Sequence, residues 1–347
     1  MKIQRVMLAV LAVCGTSAAL AQSSVTIYGR VNTTIESQKY SDGKTVNGMF
    51  NNASRIGFKG EEDLGNGLKA GFVLESGFAS DTGAGSSANG GLTFGRQSEV
   101  NLSGNFGMVR LGNFFPESYY ASADYVSLHN HDTGSSADAL YIDPVWLGTG
   151  TASQERNGGL GTGNKLAYRT PSFGGFTVDA SVSFHERSTK TAADKYGYDL
   201  AANYTQGPLA LGAGYSQKSN GQGSDKQGSV RGLYTFGQVT LGAYYQRNSE
   251  TLLGNRNNFR VSGMYTLGAS EFHVNVGHAN AWSRLDNSAA TQWTLGYNYN
   301  LSKRTKVYTY YTKINNKANA SYGYAAGASN PAGQDFRSFA VGIRHNF

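Results

Sequence analysis

The chain reads as all-β: a closed barrel of sixteen antiparallel strands that crosses a membrane. Three observations carry this expectation. Apolar and polar residues alternate with period 2 in blocks of roughly 8–14 residues; connections take turns between tight and long; and the alternate face stays polar along whole strands, as a wet lumen requires.

The blocks lie near 25–38, 53–62, 67–79, 91–103, 107–114, 163–170, 176–186, 194–206, 209–218, 226–236, 238–249, 257–267, 271–281, 289–301, 305–314 and 336–347. The first sets Val25, Ile27, Val31 and Ile35 against Thr26, Tyr28, Arg30, Asn32 and Glu36. Phe176, Val178, Ala180, Val182 and Phe184 repeat the plan, as do Trp293, Leu295, Tyr297 and Tyr299. A soluble sandwich shows the same alternation, so the connections decide. Asp63-Leu64-Gly65-Asn66, Gly104-Asn105-Phe106, Gly207-Pro208 and Phe236-Gly237-Gln238 read as tight turns, whereas 79–90, 186–193 and 218–226 read as longer loops. Aromatics near strand ends (Tyr204, Phe236, Tyr265, Tyr299, Phe347) suit an interfacial girdle. Closure satisfies every backbone donor and acceptor in hydrocarbon, and sixteen strands leave an aqueous channel.

Composition excludes the alternatives. The 347 residues include 46 Gly, about twice the ordinary share, without a collagen repeat. A charged fraction of 15% with 12% aromatics argues against disorder. Beyond residue 21 no window approaches the apolar run of a spanning helix.

Residues 1–21 run from Lys2 and Arg5 through an apolar core to Ala19-Leu20-Ala21, the order of a secretory signal peptide. Leu11-Ala12-Val13-Cys14 resembles a lipobox, but Val13 is bulky for the position before a modified cysteine. Cleavage after Ala21 would leave 22–347 as the barrel domain, remove the one cysteine, and lower the formal net charge from +7 to +5 with the loss of Lys2 and Arg5. No disulfide or thiolate metal site is then available.

Short segments carry a family likeness in their order and spacing. They are Ser24-Val25-Thr26-Ile27-Tyr28-Gly29, Ser54-Arg55-Ile56-Gly57-Phe58-Lys59-Gly60, Gly95-Arg96-Gln97, Leu111-Gly112-Asn113, Tyr168-Arg169-Thr170-Pro171-Ser172-Phe173, Tyr299-Asn300-Leu301-Ser302-Lys303-Arg304-Thr305 and a strand ending in Phe347. Together they resemble the general-diffusion porins of the Gram-negative outer membrane, β-proteobacterial type. The resemblance implies a homotrimer with periplasmic termini, contact with outer-membrane lipids and lipopolysaccharide, and a C-terminal Phe347 read by the barrel-assembly machinery. It also implies that 115–160, which lacks sustained alternation, is a third loop folded inward as a constriction.

That segment carries Glu117, Asp124, Asp132, Asp138, Asp143 and Glu155, with Tyr119, Tyr120, Tyr125, Leu128, Tyr141 and Trp146 as apolar bulk. Parity sends Arg30, Arg55, Lys59, Lys69, Arg96, Arg110, Lys165, Arg169, Arg231, Arg260, Lys306 and Arg344 to the lumen, against Glu36, Glu61, Glu75, Asp179 and Asp199. By resemblance the basic wall of the constriction falls on Arg30, Arg55, Arg96 and Arg156. Arginine suits it, being permanently charged and planar, and rings of such charge bias ion passage. The expected function is passive diffusion of ions and small hydrophilic solutes with a modest anion preference. A channel specific for a sugar or organic acid is the rival, its mark an aromatic track such as Val307–Tyr311.

Glu99 breaks the pattern. If Arg96 points inward, continuous alternation puts Glu99 outward; either a neighbouring subunit covers it, the favoured reading, or a bulge flips the register. His129, His131 and Asp132 are weak as metal ligands and read better as loop polarity, so no metal or cofactor is expected. Scattered bases without a stacking platform argue against nucleic acid. No nucleophile-base pairing marks an enzyme.

Overall fold

The computed structural model describes residues 24–87, 89–121, 139–141, 163–184, 196–220, 223–323 and 330–347. Its strands are β1 (Ser24–Tyr40), β2 (Thr45–Asn51), β3 (Arg55–Gly65), β4 (Leu68–Gly77), β5 (Gln97–Gly104), β6 (Gly107–Asn113), β7 (Lys165–Arg169), β8 (Phe176–Ser183) and β9 (Gly197–Gln206). The second half comprises β10 (Leu209–Asn220), β11 (Gly223–Phe236), β12 (Val239–Glu250), β13 (Gly254–Leu267), β14 (Ser270–Ala279), β15 (Ala290–Asn300), β16 (Thr305–Asn316) and β17 (Phe336–Asn346). A short helix, α1 (Glu117–Ala121), follows β6. Every ladder is antiparallel, strands pair with their neighbours in the chain except that β1 also pairs with β3, and β17 closes the ring on β1 from Arg30↔Asn346 to Tyr40↔Phe336.

β2 and β3 together fill one position in the wall, so the closed barrel has sixteen strands. β1 pairs with β3 up to Arg30↔Arg55 and with β2 from Thr33↔Asn51 onward. Two residues of β1 therefore face Asn52, Ala53 and Ser54, a β-bulge that reverses which face each parity occupies. Ala53 takes the left-handed region at φ 56°. Asn32 holds the bulge on both sides: its amide Nδ2 donates to Asn52 O at 2.9 Å and its backbone N to Ser54 Oγ at 3.0 Å.

The two faces separate sharply. Ile35 is 66% exposed while its near neighbour Asn32 is 0% exposed. Val25, Ile27, Val31, Leu241, Val261, Leu295 and Ile343 likewise stand outward, where lipid supplies the apolar contact that a soluble fold would take from its core. Among the described residues no helix is long and apolar enough to cross a membrane. The buried apolar cluster lies inside the barrel toward the loop end, where Ala139 and Leu140 pack with Ala279, Ala290, Ile314, Tyr322 and Phe336.

Three sequence expectations are corrected. Residues 45–51, which none of the sixteen blocks covers, form β2; their outward Thr45, Asn47 and Met49 are mixed in polarity, because this end of the hairpin is not dictated by hydrocarbon. The stretch 218–226 is mostly ladder, continuing through Lys218↔Asp225 to Asn220↔Gly223. The block 91–103 begins as a strand only at Gln97, so Arg96 lies outside the regular alternation. Glu99 then faces inward, 8% exposed, while Val100 and Leu102 face out. The register reading holds, and cover by a neighbouring subunit is not needed.

The chain ends meet at the turn side. Gly29 N bonds to Phe347 O at 3.0 Å and Phe347 N to Gly29 O at 3.1 Å. A Cβ at position 29 would lie 2.5 Å from the Phe347 ring and overlap Arg55 O, so this approach requires glycine.

Candidate functional site

The described start of the segment after β6 lies against the inner face of the wall, and two charged clusters surround it. The first is built from β3, β4 and Arg96, the residue before β5. Arg96 Nε sits 2.7 Å from Glu75 Oε1 and Arg55 Nε 3.9 Å from Glu75 Oε2, so two guanidinium groups share one carboxylate. Arg55 is in register with Arg30, whose NH2 donates to Ala53 O at 3.1 Å. The bulge thus supplies the carbonyl that anchors one arginine and sets the face on which the next is presented. Lys59 lies over the Tyr28 ring at 5.5 Å, and Arg96 over Phe115 at 5.2 Å.

The second cluster is on β5, β6 and β7. Arg110 NH2 is 2.5 Å from Glu99 Oε2, and its NH1 is 3.7 Å from Glu117 Oε1. Lys165 Nζ is 2.9 Å from Glu117 Oε2, which also accepts from Ser181 Oγ at 2.8 Å. Phe114 roofs both bases, with Arg110 at 3.9 Å and Lys165 at 4.5 Å from its ring centre. Burial alone would raise the Glu117 pKa, but the Lys165 charge, with hydrogen bonds from Lys165 and Ser181, holds it below the ordinary glutamate value.

From this anchor α1 runs along the inner wall, over the neighbouring strands β8 to β11. Ser118 N donates to Asp199 Oδ1 at 2.7 Å, and Ser118 Oγ approaches Asp199 Oδ2 at 2.5 Å and Ser216 Oγ at 2.7 Å. Arg231 Nε caps the helix by donating to Ala121 O at 2.6 Å. The seat is cut by two lumen-facing glycines of β10. A Cβ on Gly214 would fall 2.7 Å from Ser118 Cβ, and one on Gly212 would overlap Ala121 O.

Residues 139–141 form a second attachment. Ala139 N donates to Gln292 Oε1 at 2.9 Å, Leu140 O accepts from Asn258 Nδ2 at 2.8 Å, and Tyr141 OH accepts from Gln227 Nε2 at 2.7 Å. The described parts of the segment therefore contact the inner faces of strands from β7 to β17, not the outer surface. Tyr119 and Tyr141 pack edge to face at 5.7 Å, joining the two attachments.

The sequence-predicted residues distribute unevenly. Arg30, Arg55 and Arg96 stand on one stretch of inner wall. Glu117 is 3% exposed and serves as an anchor, its charge met by Lys165 and Arg110, so it is not presented to an open gap. Arg156, Asp124, Asp132, Asp138, Asp143 and Glu155 lie outside the described residues, as do His129 and His131. Among the described residues no group of His, Cys, Asp and Glu is arranged to hold a metal ion. The seat formed by Asp199, Ser216, Gly212 and Gly214 was not anticipated, although two lumen-facing glycines on one strand are its visible signal.

Tyr308 and Tyr310 do face the lumen, but they are 3% and 2% exposed. They lie across small residues of β17 and donate to Asn32 Oδ1 at 2.6 Å and Glu36 Oε1 at 2.7 Å on β1. Here they cross-link the seam, and no aromatic track is presented to a solute at this place.

Comparison with known proteins agrees with this architecture. The sequence profile of the Gram-negative porin family matches residues 8–320. The chain is 34% identical to outer membrane porin protein 32 of Delftia acidovorans, covering 100% of both chains. It is 29% identical to an outer membrane porin protein of Bordetella pertussis, covering 95% of this chain and 96% of that one. Among solved structures it is similar to an anion-selective porin from Comamonas acidovorans, with 29% identity, a TM-score of 0.77, and coverage of 94% of this chain and 100% of that one.

Proposed function

Since the chain belongs to the Gram-negative porin family, we propose that its barrel passes ions and small hydrophilic solutes passively across the outer membrane, with anions favoured over cations. The observation that carries the anion preference is the sharing of Glu75 by Arg55 and Arg96, in register with Arg30. At this carboxylate two guanidinium groups meet one acid, and a low-dielectric wall weakens screening of the charge there. The anion-selective relative from Comamonas acidovorans supports the same sign. Hydrated solutes cross a wet, charged gap, whereas apolar ones lose more hydration than they recover. No chemistry or energy source is required, and no catalytic role is assigned.

The same reading includes export by residues 1–21, assembly as a homotrimer, contact with outer-membrane lipids and lipopolysaccharide, and recognition of Phe347 by the barrel-assembly machinery. Arg156 joins the basic wall, and Asp124, Asp132, Asp138 and Asp143 supply the opposing side of the constriction. The test is planar-bilayer conductance of the refolded mature protein, with reversal potential measured across a salt gradient. Ohmic steps in groups of three with an anion-sided reversal are expected. Cation-sided reversal overturns the charge assignment, and a folded barrel without conductance overturns the channel.

A further inference from the structure

On the outer face of β9 to β12 the wall is not smooth. A groove of about 420 Å³ runs between Leu200, Tyr215, Val230 and Tyr245, floored by Ala213 and Gly228, with Arg247 at its upper end. Gly228 is in register with Tyr215 on one side and Arg247 on the other. It is the missing side chain in that row which opens the groove. Nothing in the packing demands this, since a Cβ on Gly228 would meet no atom within 4 Å.

The polar end of the groove is basic. Lys226 is the next outward residue above Gly228, in register with Gln217, and both Lys226 and Arg247 are exposed. Arg247 is steadied by donation from NH1 to Asn257 Oδ1 at 3.1 Å. Of the acids on these strands, Asp199 and Asp225 are buried on the lumen side, and Glu250 shares the parity of the buried Gln246 and Asn248. Among the described residues no acid of these strands stands beside the two bases on the outer face. From the turn at Gly237 to Arg247 the strand climbs roughly 33 Å along its axis. At a tilt of ~40° that is about 25 Å of height, the thickness of the apolar band. Lys226 and Arg247 therefore sit at the loop-side interface, directly above an apolar slot. An identical basic patch on a second copy would repel them, whereas a phosphate would not.

We propose that this groove is a binding site for one phosphate-bearing lipid of the outer leaflet, an acyl chain lying over Gly228 and the phosphate meeting Lys226 and Arg247. It rests on the outer-membrane placement of the barrel and assigns the proposed lipid contact to specific residues. The test is native mass spectrometry of the refolded mature protein in detergent, titrated with bis-phosphorylated lipid A, with dephosphorylated lipid A and with phosphatidylethanolamine. Expected is retention of one bis-phosphorylated lipid, at least tenfold weaker for the dephosphorylated form. Gly228→Leu, which fills the slot, and the double change Lys226→Gln with Arg247→Gln should each weaken retention by a similar factor. Equal retention by both variants, or equal binding of the dephosphorylated lipid, overturns the proposal, as does a change of oligomeric state in Gly228→Leu without loss of lipid. Bilayer conductance of the same samples separates the readings, because both variants point away from the lumen and should conduct as the parent does. Loss of conductance in the parent with lipid retained would strike the channel alone.

Discussion

Lys165 Nζ and Glu117 Oε2 lie 2.9 Å apart, both buried beneath the Phe114 ring and against the wall of β7 and β8. This pair ties the start of the inward segment to the barrel, and Arg110 adds a second cation at 3.7 Å. Breaking a buried pair on one side costs up to about 3–5 kcal/mol, and the more distant Arg110 and the Ser181 hydroxyl offset only part of the loss of Lys165. Lys165→Met should therefore release the segment, giving noisier channels with variable conductance, while the barrel itself still folds and migrates as a compact species on unheated gels.

Acid should act on the same anchor. The folded-state pKa of Glu117 is depressed, so its stabilisation is fully present above the unfolded value, about pH 4.3. It is lost as pH falls through the lower folded value. Conductance noise should rise as pH falls through that lower value, and Glu117→Gln should show the acid-type noise at neutral pH.

Reversing charge at the shared carboxylate tests ion preference. Arg55→Glu with Arg96→Glu places three acids where one stood between two bases, and the reversal potential should change sign toward cations. Arg96→Gln alone should move it part of the way. An unchanged reversal potential in the double variant would locate selectivity elsewhere in the lumen.

The seat of α1 depends on absent side chains. Gly214→Leu drives carbon into Ser118, and overpacking of this kind costs about 1–3 kcal/mol. Single-channel conductance should change, whereas Gly228→Ala on the neighbouring strand, facing open space, should leave it as it is.

Seam closure rests on buried hydrogen bonds to a carboxylate. Glu36 accepts from Thr34 at 2.8 Å, Gln38 at 2.9 Å, Tyr310 at 2.7 Å and Ser338 at 3.1 Å. Tyr310→Phe removes one bond to a charged group, worth about 1.5–3 kcal/mol, and should lower the urea midpoint of unfolding without altering ion preference.

Much of the barrel was legible because lipid enforces a rule that each strand obeys locally: Val25, Ile27, Val31 and Ile35 face out whatever their neighbours do. The rule fades where the membrane ends. β2, with Thr45 and Asn47 outward, carries no such imprint, and the ladder through 218–226 is polar on both faces. Glu99 escapes the pattern for a related reason, since parity counted from Arg96 presumes a strand that starts only at Gln97.

The sequence by itself determined the order of most strands and their two faces, since each follows from alternation and turn chemistry within about ten neighbouring residues. Only the tertiary structure decided which bases meet which acids: that Arg55 and Arg96 share Glu75, that Glu117 is spent on Lys165 and Arg110, and that Gly212 and Gly214 seat a helix anchored on β7 and β8. Those partners are brought together by ring closure and by the stagger between strands. A local pattern sets which face a residue occupies, but its height and its neighbour across the lumen are properties of the closed barrel.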